Sequence, residues 1–187
     1  MIYAHEKFTG LHFLKTPLDG DFENCVFTDS HFQGADLSRL TFSECQFVNC
    51  NFSSLTVVQT AFRDVQFVNC KVVGVRFDHC NPFLLSVSFE SCQLNLSSFR
   101  GLEMGKTHFK ECRLLEVDFV ESDLRESVFE SCDFAGATFG KTRLEKADFS
   151  TSYNFSINPE QNKIKGAKFS RLTLAGLLDK YEIEVQS

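Results

Sequence analysis

The sequence predicts a solenoid whose coils have four sides, and three periodicities support this prediction. A bulky apolar residue recurs at every fifth position over two long runs, a spacing that fits neither a lone α-helix nor a β-strand. A smaller residue precedes most of these bulky residues by two positions. Several cysteines are twenty residues apart, which corresponds to four five-residue units. Such an internal repeat indicates short units that stack on their neighbours.

The bulky residues form the predicted core, and those twenty apart share a column. The first run is Phe22, Phe27, Phe32, Leu37, Phe42, Phe47, Phe52, Val57, Phe62, Phe67, Val72 and Phe77. The second is Phe89, Leu94, Phe99, Met104, Phe109, Leu114, Phe119, Leu124, Phe129, Phe134, Phe139, Leu144 and Phe149. We predict a core stack of two columns, Phe27, Phe47 and Phe67 in one and Phe89, Phe109, Phe129 and Phe149 in the other. Offset ring contacts add about 0.5–1.5 kcal/mol per pair beyond burial.

All eight cysteines occupy the smaller inward position, where alanine, serine and threonine also occur. They are Cys25, Cys45, Cys50, Cys70, Cys80, Cys92, Cys112 and Cys132. A buried free cysteine behaves as a small apolar residue, and the sequence contains no C-x-x-C spacing. We therefore favour a core role for the thiols over a disulfide framework or a metal site, and we predict no cofactor.

The five-residue unit is similar to that of a known family. Ala35-Asp36-Leu37-Ser38-Arg39 shows its form, in which a small residue, a polar residue and a bulky apolar residue precede two free positions. This pattern resembles the pentapeptide-repeat proteins over about residues 20 to 150. The resemblance implies an all-β solenoid, a right-handed quadrilateral β-helix. With a rise of about 4.8 Å per coil, the repeats listed above would make about six coils, about 30 Å long.

Both ends and one interruption depart from the repeat. Units around Phe8, Phe13 and Leu18 run in another register and predict a frayed or capping coil over about residues 1–19. Phe77 and Phe89 are twelve residues apart, so the register breaks at about 78–88. Pro82 in this segment indicates either a partner-binding loop or a small bulge that the coil absorbs, and its short, apolar sequence favours the bulge.

The C-terminal segment, residues 171–187, follows a repeat domain predicted over residues 1–170. Leu174, Leu177, Leu178 and Tyr181 follow helical spacing, and the alternation of Ile183 and Val185 predicts a short strand. This helix would cap the open end of the solenoid. In relatives with such an ending the helix also joins two subunits, so we predict a homodimer through these four residues.

The tail narrows the resemblance to one group of the family. Asn154-Phe155-Ser156-Ile157-Asn158-Pro159 and the later Leu177-Leu178-Asp179-Lys180-Tyr181 resemble free-standing bacterial members. That group includes the microcin B17 immunity protein and, more distantly, the quinolone-resistance proteins. The resemblance implies an acidic, rod-shaped dimer that mimics duplex DNA and protects DNA gyrase or topoisomerase IV.

The charge distribution both supports and opposes DNA mimicry. The net charge is −6, and Glu116, Asp118, Glu121 and Asp123 are the predicted acidic partner-binding surface. Charges twenty residues apart are mostly opposite in the second half, however, so vertical neighbours such as Glu90 and Lys110 would cancel each other's field. Two hypotheses remain open: a gyrase protector, and a structural or interaction scaffold without a topoisomerase partner.

Other functional classes have weaker support. The sequence has no basic face for nucleic acid, no apolar stretch of the roughly 20 residues that span a membrane, and no signal-peptide pattern at its start, so we predict a cytoplasmic protein. His12, His31 and His108 occupy outward positions without a nucleophile or phosphate-binding motif nearby. His79 and Cys80 are the nearest approach to a ligand pair, but Cys80 should face inward. We therefore predict no enzymatic activity.

Overall fold

A computed structural model describes residues 1–13 and 19–184 and shows a four-sided parallel β-solenoid of about eight turns with a short helix near the C-terminus. The predicted fold class is confirmed. The number of turns exceeds the predicted six because both ends of the chain continue the coil. Leu18 and Val185 lie outside the described residues, so the predictions that involve them stay predictions.

Two of the four sides carry named strands, and every strand pair is parallel. The first sheet has the order β1-β3-β5-β7, and the second has the order β13-β12-β11-β10-β9-β8-β6-β4-β2. The strands are β1 Ile2–Ala4, β2 Lys7–Thr9, β3 Asp21–Glu23, β4 Val26–Thr28, β5 Thr41–Ser43, β6 Gln46–Val48, β7 Ala61–Arg63, β8 Val65–Val68, β9 Val87–Glu90, β10 His108–Lys110, β11 Val128–Glu130, β12 Asp148–Phe149 and β13 Lys168–Phe169. The other two sides are joined by single bridges such as Asp36↔Thr56 and Gln93↔Arg113.

The corners of the coil explain why the repeat has five residues. Asp29, Asn49 and Asn69, which lie at one corner on successive turns, have φ values of 50°, 55° and 52°. This left-handed conformation turns the chain after each short extended segment, and Asn and Asp adopt it more readily than most residues. Each side therefore places two side chains inside before the next corner.

The seven phenylalanines of the predicted core stack form one continuous column instead of two. Phe67 and Phe89 lie across the predicted break with their ring centroids 5.1 Å apart and their planes inclined by only 13°. The remaining contacts from Phe27 to Phe149 have centroid distances of 4.6 to 5.2 Å. Phe8 and Phe169 extend the stack at its two ends. Ring stacking thus follows the coil rise along the full solenoid.

The cysteines line the same interior, and all eight are buried and free. Five of them occupy one column, which Ser30 and Ser152 continue at either end: Cys50, Cys70, Cys92, Cys112 and Cys132. Their thiols donate to backbone carbonyls, as Cys112 does to Lys110 at 3.2 Å. Burial raises the pKa of Cys45 to about 11 and that of Cys80 to about 12. These two thiols are therefore protonated at neutral pH and are poor nucleophiles.

Of the two alternatives for the first coil, frayed or capping, the pairing of residues 2–4 and 7–9 with the next coil favours an ordered coil. Tyr3 pairs with Phe22 and Phe8 pairs with Phe27, so the register is nineteen residues instead of twenty. Phe13 stacks on Phe32 with a centroid distance of 4.0 Å. The different sequence register therefore reflects a coil one residue shorter whose apolar side chains still enter the shared core.

The break at 78–88 adds two residues to one coil without interrupting the ladder. Val65 pairs with Val87 in a register of twenty-two residues. This continuity is what the prediction of a small bulge leads us to expect, while Phe83 and Leu84 remain 67% and 61% exposed. The filled core has no place for additional apolar side chains, so the extra residues project outwards.

The C-terminal helix is a 3-10 helix, Arg171–Leu177, followed by the short 3-10 turn Asp179–Tyr181. The predicted spacing assumed 3.6 residues per turn, whereas a 3-10 helix has about three. The helix lies directly on the last coil, because Ile157 donates to the carbonyl of Gly176 at 2.8 Å. A Cβ at Gly176 would lie 2.1 Å from the Phe155 carbonyl oxygen, so this contact requires glycine. No helix within 1–13 and 19–184 is long and apolar enough to cross a membrane.

Replacement of Phe109 by alanine should destabilise the protein by about 3–5 kcal/mol, because Phe109 is fully buried between two stacked rings and its removal leaves a cavity. Thermal or urea unfolding measures this loss. Phe169→Ala, at the partly exposed end of the same stack, is the matched control and should cost less. Equal losses would show that the stack does not determine the stability of the column.

Candidate interaction surfaces

The four predicted acidic residues follow one another along the coil, three of them on one side and its two corners and the fourth on the next side. Glu116 and Glu121 occupy the corners, with φ values of 55° and 63°. Asp118 lies on the side between them, where it bridges Ser98 and Thr138 in neighbouring coils. Asp123 lies on the next side, between Glu103 and Arg143. The four residues therefore do not share one flat face, although three of them border the same side.

Asp123 is not available to a partner, which corrects its place in the predicted surface. It is only 8% exposed, and its carboxylate contacts the guanidinium groups of Arg125 at 2.6 Å and Arg143 at 3.2 Å. Burial alone would raise the pKa of Asp123, but hydrogen bonds from Arg125 and the charges of both arginines outweigh it and hold this pKa below its ordinary value. Asp123 therefore stabilises the coil.

Two other members of the predicted surface also have cationic neighbours. Asp118 accepts a hydrogen bond from Arg100 Nε at 2.9 Å, and Glu121 lies 3.5 Å from Lys141 Nζ. Both pairs are substantially exposed, so their net contribution to stability is small. Glu116 is exposed and forms no ion pair with the residues that the structure describes. It is the least compensated of the four charges.

Vertical charge pairing occurs in the second half of the solenoid, as predicted. Glu90 lies 2.8 Å from Lys110, and Asp148, one rung below Lys168, lies 3.1 Å from its ammonium group. Arg113 and Asp133 share a register position but make no ion pair in the described part of the chain. The surface of this half is therefore partly paired with itself, and its field is weaker than the number of acids indicates.

A further region of uncompensated negative charge lies at the other end of the protein. Residues 19–64 contain seven Asp and Glu against two Lys and Arg. All ion pairs found among the described residues involve Arg76 or later positions. The sequence analysis predicted an acidic surface in the second half of the protein and did not predict one within residues 19–64. The excess of acids in this stretch could have revealed the surface, because an acid without a base twenty residues away has no cationic neighbour on the adjacent coil.

The C-terminal residues predicted for dimerisation are partly buried and partly exposed. Leu174 and Tyr181 are 43% and 52% exposed, whereas Leu177 packs against the core. Leu178 is half-buried at the end of the helix. Leu172 is 93% exposed, and sequence analysis missed it because it lies off the predicted helical face. The helix therefore caps the coil with one side and presents leucines on the other.

The histidines and the His79-Cys80 pair form no ligand cluster. Cys80 is buried with 2% exposure, while the His79 side chain is half exposed and lies 3.9 Å from Asp78. His12 and His31 stack on adjacent coils with ring centroids 4.5 Å apart. No group of three or more His, Cys, Asp or Glu suited to holding a metal occurs within 1–13 and 19–184.

The matches to family models agree with this architecture. The model for the pentapeptide repeat region matches residues 40–111, and that for pentapeptide repeats (8 copies) matches residues 21–54 and 112–150. The two together span residues 21–150, and the protein belongs to the pentapeptide-repeat family. No curated protein matches the chain.

Solved structures show the same fold at low sequence identity. One trypsin-treated form of QnrB1, described as a plasmid-mediated fluoroquinolone resistance protein, has a TM-score of 0.73 at 14% identity, over 100% of this chain and 92% of QnrB1. A second trypsin-treated form has a TM-score of 0.51 at 18% identity, with both chains fully covered. These similarities establish the solenoid, and they leave the partner of this protein to be proposed.

Replacement of Asp123 by asparagine should lower the free energy of unfolding at pH 7 by about 1.5–3 kcal/mol, because hydrogen bonds between charged groups are lost at a buried site. Glu121→Gln, which removes an exposed carboxylate, is the control and should cost about 1 kcal/mol or less. Urea unfolding compares the two variants.

The decrease in the free energy of unfolding caused by Asp123→Asn should also depend on pH. The folded pKa of Asp123 lies below the ordinary pKa of an aspartate, so its stabilisation is present above that ordinary pKa and disappears as the pH falls through the folded pKa. The difference between wild type and Asp123→Asn should therefore narrow in acid. A difference that is constant from pH 7 to pH 2 would contradict a role for the charge.

Proposed function

We propose that the protein is a non-enzymatic binding protein that protects DNA gyrase or topoisomerase IV from a poison by mimicking duplex DNA. The observation that carries the proposal is the match of the whole chain, at a TM-score of 0.73, to a protein described as conferring fluoroquinolone resistance. The net charge of −6 and the rod shape add support, because an acidic rod can complement a DNA-binding groove.

The proposed contact surface centres on the side bordered by Glu116 and Glu121. Both are exposed at corners of the coil, and Asp118 lies between them with its side chain 29% exposed. Asp123 is left out of this surface because its two arginines already neutralise it. Arg100 and Lys141 would have to give up their ion pairs to a cationic partner surface, and exposed pairs of this kind separate at small cost.

A homodimer through the C-terminal helix completes the proposal. Leu172, Leu174 and Tyr181 are exposed in the segment that caps the solenoid, and Ile183, two residues after Tyr181, is 57% exposed. An exposed apolar cluster of this kind is typical of a protein interface. End-to-end pairing of two rods would cover these apolar residues and double the length of the acidic rod.

A structural or interaction scaffold is the second candidate, and one observation favours it. Glu90–Lys110, Glu121–Lys141 and Asp148–Lys168 are pairs between neighbouring coils. DNA carries one charge per about 1.7 Å of its length, whereas this half of the rod cancels much of its own charge. A scaffold needs only a stiff column, and the paired ladders are compatible with that role.

Purified protein at low micromolar concentration should alter gyrase supercoiling or drug-stabilised cleavage. Glu116→Lys with Glu121→Lys should weaken the effect about tenfold or more, which corresponds to about 1.4 kcal/mol. The matched control is Glu111→Lys with Glu130→Lys, because both residues are exposed and lie away from the proposed side. If neither reaction changes at tens of micromolar wild-type protein, the topoisomerase proposal is wrong.

Sedimentation should show a dimer at micromolar concentration, and Leu172→Asp with Leu174→Asp should convert it to a monomer, because charged groups would be buried in the interface. Leu96→Asp is the control, since Leu96 is 57% exposed at a corner far from the helix. A monomeric wild-type protein would remove the dimer from the proposal without affecting the fold.

A further inference from the structure

The insertion that follows Cys80 is a preorganised loop. The Asn81 side chain accepts a hydrogen bond from the Phe83 amide at 2.9 Å, and the Leu85 amide donates to the Pro82 carbonyl at 3.3 Å. At the end of the loop, the Ser86 hydroxyl donates to Asp64 at 2.7 Å. An Asx turn, a proline and a tie to the neighbouring coil thus hold the loop in one conformation.

This loop presents two large apolar side chains to solvent. Phe83 is 67% exposed and Leu84 is 61% exposed, whereas Leu85 turns inwards and packs against the core. The register on both sides of the loop is continuous, so the coil does not need Phe83 or Leu84 to bury its interior. Apolar groups that are held rigidly at a surface bind a partner at a low cost in conformational entropy.

Negative charge lies on the coils that precede the loop, on the same side of the solenoid. Glu44 and Asp64 are exposed at successive rungs of one corner, and Asp21 and Glu23 lie on β3 of the same sheet. None of these acids forms an ion pair among the residues the structure describes.

An open groove of about 450 Å³ joins the acids to the loop. Its lining includes Glu44 and Asp64 on one side and Leu84 and Leu85 on the other. Arg63 also lines the groove, but it is half-buried, and its Nε has no hydrogen-bond partner. Two carboxylates and one guanidinium line the groove, so its net charge is negative.

We propose that Phe83, Leu84, Glu44 and Asp64 form a docking surface for a cationic, apolar segment of another protein. Lysine or arginine side chains of that segment would meet the acidic corner, while its apolar side chains would cover Phe83 and Leu84. The charge decides between occupants, because an anionic segment and a second acidic copy of this chain would both be repelled by Glu44 and Asp64. This surface includes neither Glu116 nor Glu121 and does not depend on the gyrase proposal.

Three short fluorescein-labelled peptides test the proposal by fluorescence anisotropy: one of lysine and leucine spaced by serine, one with glutamate in place of lysine, and one with serine in place of leucine. Only the lysine–leucine peptide should bind the wild-type protein, and added salt should weaken that binding. Phe83→Ser with Leu84→Ser should weaken it about tenfold or more, and Glu44→Gln with Asp64→Asn about threefold or more. The asparagine keeps an acceptor for Ser86.

Leu96→Ser serves as the control, because it removes an equally exposed leucine elsewhere and should leave binding unchanged. The Phe83→Ser with Leu84→Ser variant should unfold at the wild-type temperature, since both side chains are outside the core. Unchanged binding by that variant, equal binding of the glutamate peptide, or no binding of the lysine–leucine peptide would each overturn the proposal. If the variant instead dissociates a wild-type dimer in sedimentation, the occupant is a second copy and the proposal is wrong.

Discussion

The structure depends on parallel strands that stack in register, so that each residue lies above the residue one coil earlier at the spacing of neighbouring strands. Under this constraint a residue type that suits one rung must also suit its vertical neighbours. Phenylalanine meets it through offset ring stacking, as at Phe109 and Phe129, whose centroids are 5.1 Å apart. Cysteine meets it because a thiol is small, apolar and able to donate to the backbone carbonyls that line the interior.

The same constraint acts on the exterior, where it arranges charges in columns. A carboxylate that has a lysine above it, as Glu90 has Lys110, is locally neutralised. A carboxylate whose vertical neighbour is polar or acidic keeps its field, as Glu44 does below Asp64. The net charge of the protein therefore says little about where a cationic partner would bind. The residues one coil above and one coil below each acid determine where its field persists, and they favour a cationic partner binding to the first half of the rod.

Much of the interior was predictable from the sequence because its signal repeats many times. The inward positions of Phe27 and Cys92 follow from period alone, and the structure buries both. The burial of Asp123 was not predictable in this way, because it depends on Arg125 two residues later and on Arg143 one coil later closing over the carboxylate together. The exposure of Leu172 was also missed, since three residues per turn in a 3-10 helix place side chains differently from the assumed helical spacing.

The two irregular coils show how this fold can acquire a binding surface without losing stability. The first coil is one residue short and the coil that contains Pro82 is two residues long, yet Phe8 stacks on Phe27 and Phe67 stacks on Phe89 as in regular coils. The columns require only that an apolar residue returns to the same place, so a change in length appears at the surface. Because the interior is already filled, apolar residues in such an insertion must face solvent. The packing of the core therefore does not explain the aromatic side chain of Phe83, whereas the binding of a partner would.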